Sequence, residues 1–197
     1  MSIFRRKQVA TASLPVYAHS TDFCRVFEDD MDRLYLLSLL LTADPERAEK
    51  CFVRGLEDTQ KGNPVFREWA QSWARRSIIV SAIRMLGPRP DKAQPATVTS
   101  DSPGHSRGLP SECAAVLSLQ PFERFVFVIS VLEGYSERDC RLLLDCSAAD
   151  IAEARVRAFE HLADLAMRRN KAAHASSHSH NEEANSSPGT TRLAASV

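Results

Sequence analysis

The sequence predicts an all-α protein built as two small helical bundles joined by a Pro-rich linker, the C-terminal bundle containing a helix-turn-helix. Apolar residues recur at three- and four-residue spacing on both sides of the linker, as they do in amphipathic helices. The linker, residues 88–110, contains five prolines and almost no large apolar residues. Such a segment cannot bury enough surface to offset the entropy of ordering it, so we expect it to separate the bundles.

Composition also predicts that both ends of the 197-residue chain are flexible. The first residues carry a basic cluster without the apolar segment of a secretory signal, and the last residues are polar and low in complexity. The predicted segments are a flexible arm, a first bundle, a disordered linker, a second bundle and a disordered tail, at residues 1–20, 21–87, 88–110, 111–169 and 170–197.

Charge and cysteine content exclude several classes of protein. The 25 Lys and Arg residues balance 25 Asp and Glu residues, so nucleic-acid binding would depend on local charge segregation. The longest nearly unbroken apolar run, Phe125 to Leu132, is far shorter than the ~20 residues that span a bilayer, and no membrane partner is expected. The five cysteines are scattered without a C-x-x-C pair, which predicts buried thiols in a reducing cytoplasm rather than disulfides or zinc ligands.

The first bundle is predicted to contain three helices. The spacing of apolar residues from Phe23 to Leu41 indicates one amphipathic helix. A second helix follows Asp44, the expected N-cap, with Pro45 at its first position, and ends near Gln60. The third runs from about residue 65 to residue 86, where a Gly-Pro pair ends it.

The second bundle contains one segment that is ambiguous by composition. Residues 125–132 are rich in aromatic and β-branched side chains, which are also typical of strands. Gln120-Pro121 before the segment indicates a helix start and Glu133-Gly134 after it a helix stop, so we predict a helix. Two capping boxes follow, beginning at Ser136 and Ser147, and each predicts a new helix.

The helices that follow the two capping boxes form a short helix, a tight turn and a longer helix. In a DNA-binding helix-turn-helix the first helix braces the second, which presents its N-terminal turn to the major groove. A compact α-hairpin without DNA-binding function has the same spacing, so the pattern alone leaves both interpretations open.

Several short features in both bundles point to one family. The second bundle has a Leu-x-x-Pro-x-x-Arg-like opening (Leu119, Pro121 and Arg124) and a Glu-Gly-Tyr-Ser corner (Glu133–Ser136). It also has matching positions at the turn and in the second helix, which are Leu144, Cys146, Ser147, Ile151, Arg157, Ala158 and Leu162. The first bundle has Tyr35, Leu36, Ala48, Glu49 and the aromatic-basic run FREWAQSWARRSIIVSAIR. In the order and spacing of these features, over about residues 22–87 and 109–165, the chain resembles the two-domain, sigma-70-like RNA polymerase sigma factors of the extracytoplasmic-function group.

The resemblance implies a non-catalytic cytoplasmic protein that needs no cofactor. Its first bundle would dock on core RNA polymerase and hold the minus-ten promoter element, and its second would contact the upstream promoter element. It also allows for an anti-sigma-like protein as an inhibitory partner. The expected DNA-binding residues are Trp73, Arg75, Arg76, Arg84, Ser147, Arg155 and Arg157, and the expected polymerase-binding residues are Glu46, Glu49 and Arg54.

Charge distribution agrees with part of this assignment. Residues 22–58 carry ten acids against five bases, whereas residues 67–89 carry five arginines against one glutamate. A basic helix with tryptophans suits a promoter strand, because guanidinium groups neutralise phosphates and aromatic faces stack on unpaired bases. Trp69, Trp73 and Val80 share one helical face, however, and the pattern favours both tryptophans as core residues.

The expected contact positions depart from the family pattern. The second helix of the motif begins with Asp150-Ile151-Ala152-Glu153-Ala154, where the family has polar and basic residues. From residue 148 to residue 169 four acids balance four bases, so this helix gains little from counterion release. Arg155 lies on the inward stripe, where its stem can pack and its charge reach solvent. The alternative is therefore a degenerate sigma-like interaction module that lacks promoter selectivity.

No sequence pattern favours an enzyme or a metal protein. Phosphate-loop, dinucleotide-binding, zinc-protease and hydrolase-elbow motifs are all absent from the sequence. The acidic residues 28–30 and 32 point apart on a helix and predict a solvated face. His174, His178 and His180 lie in the predicted tail, where no packed shell would hold a metal.

Overall fold

A computed structural model of the chain describes residues 17–62, 64–90 and 110–183, with side chains as far as residue 171. These parts are predominantly helical and contain no strand, which confirms the all-α prediction. The helices are α1 (Ser20–Asp29), α2 (Met31–Thr42), α3 (Pro45–Lys61), α4 (Ala70–Leu86), α5 (Ser111–Leu117), α6 (Pro121–Phe127), α7 (Glu137–Leu144) and α8 (Ala148–Glu183).

The helix predicted from Phe23 to Leu41 is divided in two. Helix α1 ends at Asp29 and α2 begins at Met31, with Asp30 between them at φ −107° and ψ 20°. The Asp30 carboxylate accepts a hydrogen bond from the side chain of Gln71 in α4, so a tertiary contact holds the break. Asp30 and Asp32 lie at the N-terminus of α2, where acids are favourable, whereas Glu28 and Asp29 lie at the C-terminus of α1, where acids are unfavourable, so helix electrostatics alone do not explain the break.

The second and third predicted helices form with adjusted starts. The Asp44 side chain caps α3 by accepting from the Arg47 N–H at 2.8 Å, as predicted. Helix α4 begins at Ala70, several residues later than predicted, after a 3₁₀ turn at Arg67–Trp69. The preceding backbone is extended because the Ala18 N–H donates to the carbonyl of Val65 at 2.7 Å.

The ambiguous segment 125–132 is helical, as predicted. Helix α6 continues into a π-helical turn over Val128–Leu132. The N–H of Glu133 donates to the Val128 carbonyl at 2.9 Å, five residues back, and Gly134 follows with φ 70°. Because a π turn widens the helix, it changes the direction in which residues 133–135 leave it.

Residues 170–183 of the predicted disordered tail lie in helix α8. Helix α8 continues through them to Glu183. Extending an existing helix avoids the cost of nucleation, so this polar stretch is helical although eight of its fourteen residues are Asn, His or Ser, which are weaker helix formers than Ala, Lys and Glu. The remaining tail, 184–197, and most of the predicted arm and linker, 1–16 and 91–109, lie outside the described residues.

The predicted separation into two bundles differs from what the structure shows. Helices α5 and α6 pack against α2, and α7 packs against α4. Buried apolar residues of the first half (17–90) and the second half (110–183) form one continuous core. Its largest fully buried members are Leu34, Leu41, Ile78, Ile79, Phe125, Ile129 and Ile151.

A Gly55→Ala substitution in α3 is expected to destabilise the protein by about 1–2 kcal/mol. A Cβ at Gly55 would lie 2.6 Å from the Ile78 Cδ1 and 3.3 Å from the Ile78 Cα, so α3 and α4 would have to separate. That strain exceeds the gain of about 1 kcal/mol in helix propensity. Urea unfolding measures the loss, with Arg54→Ala on the exposed face of α3 as the control. A gain in stability from Gly55→Ala would contradict this account.

Two cysteines are expected to resist alkylation in the folded protein. Burial raises the pKa of the Cys51 and Cys140 thiols to about 11, so almost no thiolate forms near neutral pH. Cys24 and Cys113 are half-buried and should react faster. Iodoacetamide labelling with peptide mass spectrometry, with and without urea, tests this order. Fast labelling of Cys51 or Cys140 without urea would contradict the packing described here.

Candidate nucleic-acid interface

A serine N-cap begins each of α7 and α8, and at Ser147 the reciprocal bond of a capping box is also present, since the Ser147 N–H donates to the Asp150 carboxylate at 2.9 Å. The Ser136 hydroxyl accepts from the Asp139 N–H at 3.2 Å, and the Ser147 hydroxyl accepts from the Asp150 N–H at 3.2 Å. Between the helices Asp145 adopts the left-handed conformation, with φ 49°. The sequence therefore places both helix starts correctly, and a three-residue turn joins α7 to α8.

Helix α8 uses one side for packing and leaves another exposed. Its inward residues Ile151, Ala154 and Ala158 are buried against the second half, where α8 packs on α5, α6 and α7. Val156 on the outward side is 55% exposed, and Phe159 is 49% exposed although its ring packs edge-on against Phe127 of α6. The exposed side of α8 is therefore available to a partner, but part of it is apolar.

The residues of α8 predicted to contact DNA differ in availability. The Ser147 hydroxyl donates to the Asp150 carboxylate at 2.6 Å as part of the cap. Arg157 donates from Nε to Glu123 at 2.7 Å and also pairs with Glu153. Arg155 is exposed rather than inward, and no ion pair engages it within the described parts of the chain. Of the two arginines, Arg155 presents the more accessible positive charge.

Arg75 of α4 forms an ion pair with the second half. Its Nη1 lies 2.9 Å from both carboxylate oxygens of Glu133, at the end of the π turn. The Glu133 side chain is only 10% exposed and that of Arg75 is 34% exposed. The arginine predicted to contact a promoter strand is therefore held by a carboxylate in this arrangement.

Arg76, the next residue, faces Tyr135 on the same corner. Burial raises the pKa of the Tyr135 hydroxyl, and hydrogen bonding to Arg76 partly offsets this rise. Arg75 and Arg76 of the predicted DNA-binding helix thus both face residues of the Glu133–Tyr135 corner.

The other predicted residues of the first half have separate surroundings. Arg84 is exposed and pairs with Asp58 of α3 at 2.9 Å. Trp73 is half-buried, and its Nε1 is buried with no hydrogen-bond acceptor among the described residues. Trp69 is 55% exposed and packs edge-on against Phe66, so the expectation that both tryptophans are core residues is wrong for Trp69. Its position before α4, in the 3₁₀ turn, removes it from the helical face used for that expectation.

The residues predicted to bind polymerase share the exposed face of α3. Glu46, Glu49 and Arg54 are all exposed, and Glu46 pairs with Lys50 at 2.6 Å. Val53 lies among them and is 52% exposed, which the sequence prediction missed. An apolar residue four positions after Glu49, on a polar face, was the available signal. The face offers an apolar centre with charged neighbours, which is a common arrangement at protein interfaces.

Arg124 of α6 is a further residue whose contact the sequence did not predict. It is only 6% exposed, and its guanidinium donates to the Leu119 carbonyl at 2.9 Å and to the Leu41 carbonyl at 3.3 Å. Burial lowers the pKa of Arg124 to about 10, so the side chain remains charged at neutral pH. Leu41 belongs to α2, and Arg124 therefore ties the second half to the first.

Metal-binding clusters and membrane-spanning helices are both absent from the described residues. They contain no cluster of three or more histidine, cysteine, aspartate or glutamate side chains placed to bind a metal ion. None of the helices in these parts of the chain is long and apolar enough to cross a membrane. Comparisons with protein-family models, curated proteins and solved structures find no match to this chain.

Proposed function

We propose that this chain is a sigma-factor-like DNA-binding protein of transcription initiation, which docks on core RNA polymerase in the cytoplasm and contacts promoter DNA. The observation that carries the proposal is the pair α7 and α8, in which a short helix braces a longer one at a three-residue turn. The outward side of α8 remains exposed, as a helix that enters a DNA groove requires. The helix-turn-helix function of this pair is part of the proposal.

The proposed function divides the work between the two halves. The exposed face of α3, with Glu46, Glu49 and Arg54, would contact core polymerase. The arginines of α4 would neutralise phosphates of the promoter strand, and exposed Arg155 would do so at the upstream element. In this scheme the two halves act as separable units when bound to polymerase and DNA.

Reconstitution with core polymerase tests this proposal. Purified chain and core enzyme should start transcripts at defined sites on fragmented genomic DNA, with the 5′ ends mapped by sequencing. Reversing two charges on α3, Glu46→Lys with Glu49→Lys, should reduce polymerase binding by about tenfold or more. Glu28→Lys with Asp29→Lys, at two exposed positions of α1, reverses the same number of charges and is the matched control. Transcripts without defined start sites, or none above core enzyme alone, would contradict the promoter-binding function.

A second candidate is a degenerate sigma-like module that binds polymerase or a regulatory protein without selecting promoters. The observation that favours it is the pairing of the predicted DNA-binding arginines Arg75, Arg84 and Arg157 with carboxylates. In the same reconstitution, polymerase binding that depends on Glu46 and Glu49 but yields no promoter-dependent transcript would support this candidate over the first.

A further inference from the structure

The pair formed by Arg75 and Glu133 joins the two halves of the protein. The two residues are 58 positions apart in the sequence, and both oxygens of Glu133 lie 2.9 Å from Arg75 Nη1. Glu133 is almost fully buried, so solvent screens this pair less than it screens an exposed one. A phosphate group that bound Arg75 would have to displace this carboxylate.

The local backbone holds Glu133 in position for this contact. The π turn places the Glu133 N–H on the Val128 carbonyl, and the Tyr135 N–H donates to the Ile129 carbonyl at 3.1 Å. Gly134 between them has φ 70°, a conformation that a side chain would strain. The corner is therefore fixed by its own backbone, and it presents Glu133 and Tyr135 to the two adjacent arginines of α4.

The second contact between the halves, made by Arg124, has an unfavourable desolvation energy. Arg124 is buried against the Leu41 carbonyl, and no carboxylate pairs with it among the residues the structure describes. Burying a charge that only carbonyls compensate is less favourable than burying an apolar side chain of similar size. Separation of the halves would return this charge to water, which makes the closed arrangement easier to open than a purely apolar interface would be.

We propose that the Arg75–Glu133 pair is an autoinhibitory latch that keeps Arg75 and Arg76 of α4 from binding nucleic acid until the halves separate. In the closed arrangement Glu133 pairs with Arg75, and Arg76 faces Tyr135 beside it; in the open arrangement both arginines face solvent. A polyanion binds only the open form, so its apparent affinity falls by the fraction of molecules that are open. This inference rests on the proposed DNA-binding function.

Neutralising Glu133 tests the latch on the full chain. Glu133→Gln keeps the shape of the side chain and removes its charge, so we expect a larger radius of gyration by small-angle X-ray scattering. We also expect about tenfold tighter binding of a mixed-sequence single-stranded oligonucleotide, because the open fraction rises. Glu57→Gln is the matched control, since it makes the same carboxylate-to-amide change in the exposed Lys61–Glu57 pair of α3, away from the contact between halves and from the arginines of α4.

Exchanging the two charges of the pair distinguishes loss of the latch from misfolding of a variant. Arg75→Glu alone should open the protein, and Arg75→Glu combined with Glu133→Arg should restore the wild-type radius. If the radius is unchanged in both Glu133→Gln and Arg75→Glu, the latch is wrong. If the radius increases but the affinity for DNA is unchanged, the pair links the halves without inhibiting DNA binding, and the proposed autoinhibition is wrong. An increased radius with no DNA binding in either form supports the contact as a conformational latch and overturns the proposed DNA-binding function instead.

Discussion

Replacing Arg124 with alanine is expected to lower the free energy of unfolding by about 2–4 kcal/mol. The substitution leaves the carbonyls of Leu41 and Leu119 without the donor that they now share, and each buried unpaired acceptor costs about 1–3 kcal/mol. It also leaves a cavity between α2 and α6. Release of the buried charge offsets part of this loss, because burial already opposes the charged form of Arg124.

Urea unfolding followed by far-UV circular dichroism measures this effect. Arg124→Met is the informative comparison, since it fills most of the volume and removes the charge, and we expect it to lose less than half as much stability as Arg124→Ala. Arg141→Ala, at an exposed site on α7, should stay within about 0.5 kcal/mol of the wild type. A loss below about 1 kcal/mol for Arg124→Ala would show that its carbonyl contacts do not hold the halves together.

Local patterns predicted most of the helices, and tertiary contacts account for most of the differences. Apolar spacing and caps such as Asp44 and Ser147 depend on neighbours within four residues, so they can be identified from the sequence alone. The break at Asp30 depends on Gln71, which lies 41 residues away. The late start of α4 likewise depends on pairing between Ala18 and Val65.

The contact between halves could not be predicted for a related reason. A Pro-rich linker indicates that its own residues lack a core, and it does not determine whether the segments on either side pack together. Leu41 and Phe125 each fit an amphipathic helix in isolation, but their shared core becomes visible only in three dimensions. Independent bundles were the simplest expectation from periodicity, and periodicity carries no information about which faces meet.

The candidate interface was predicted by residue type but not by pairing state. The arginines of α4 stand out as a local excess of positive charge. Their availability depends on carboxylates far along the chain, as with Arg75 and Glu133. Arg157 is similar, since Glu123 lies 34 residues before it. Local charge counts therefore identified candidate contacts and could not show that the fold already occupies them.

Replacing Arg75 and Arg76 together with alanine is expected to weaken oligonucleotide binding by about 100-fold at low salt in the Glu133→Gln chain. In that chain Arg75 no longer has a charged partner, so both guanidinium groups can reach phosphates. Each lost phosphate contact should also reduce the slope of log affinity against log salt by about 0.7 on single-stranded DNA, hence by about 1.4 for the pair. Fluorescence anisotropy at several salt concentrations measures both quantities.

The wild-type chain and a distant arginine provide the comparisons for this substitution. In the wild-type chain the same double substitution should cause a smaller loss of affinity, because removing Arg75 also breaks the latch and increases the open fraction. Arg54→Ala, on the exposed face of α3, removes one positive charge from the proposed polymerase face and should leave the salt slope nearly unchanged. A decrease in slope of about 0.7 for Arg54→Ala, the amount expected for each arginine of α4, would mean that the chain binds DNA by its overall charge. An unchanged slope for the α4 double variant would mean that this helix does not contact DNA, whatever arrangement the two halves adopt.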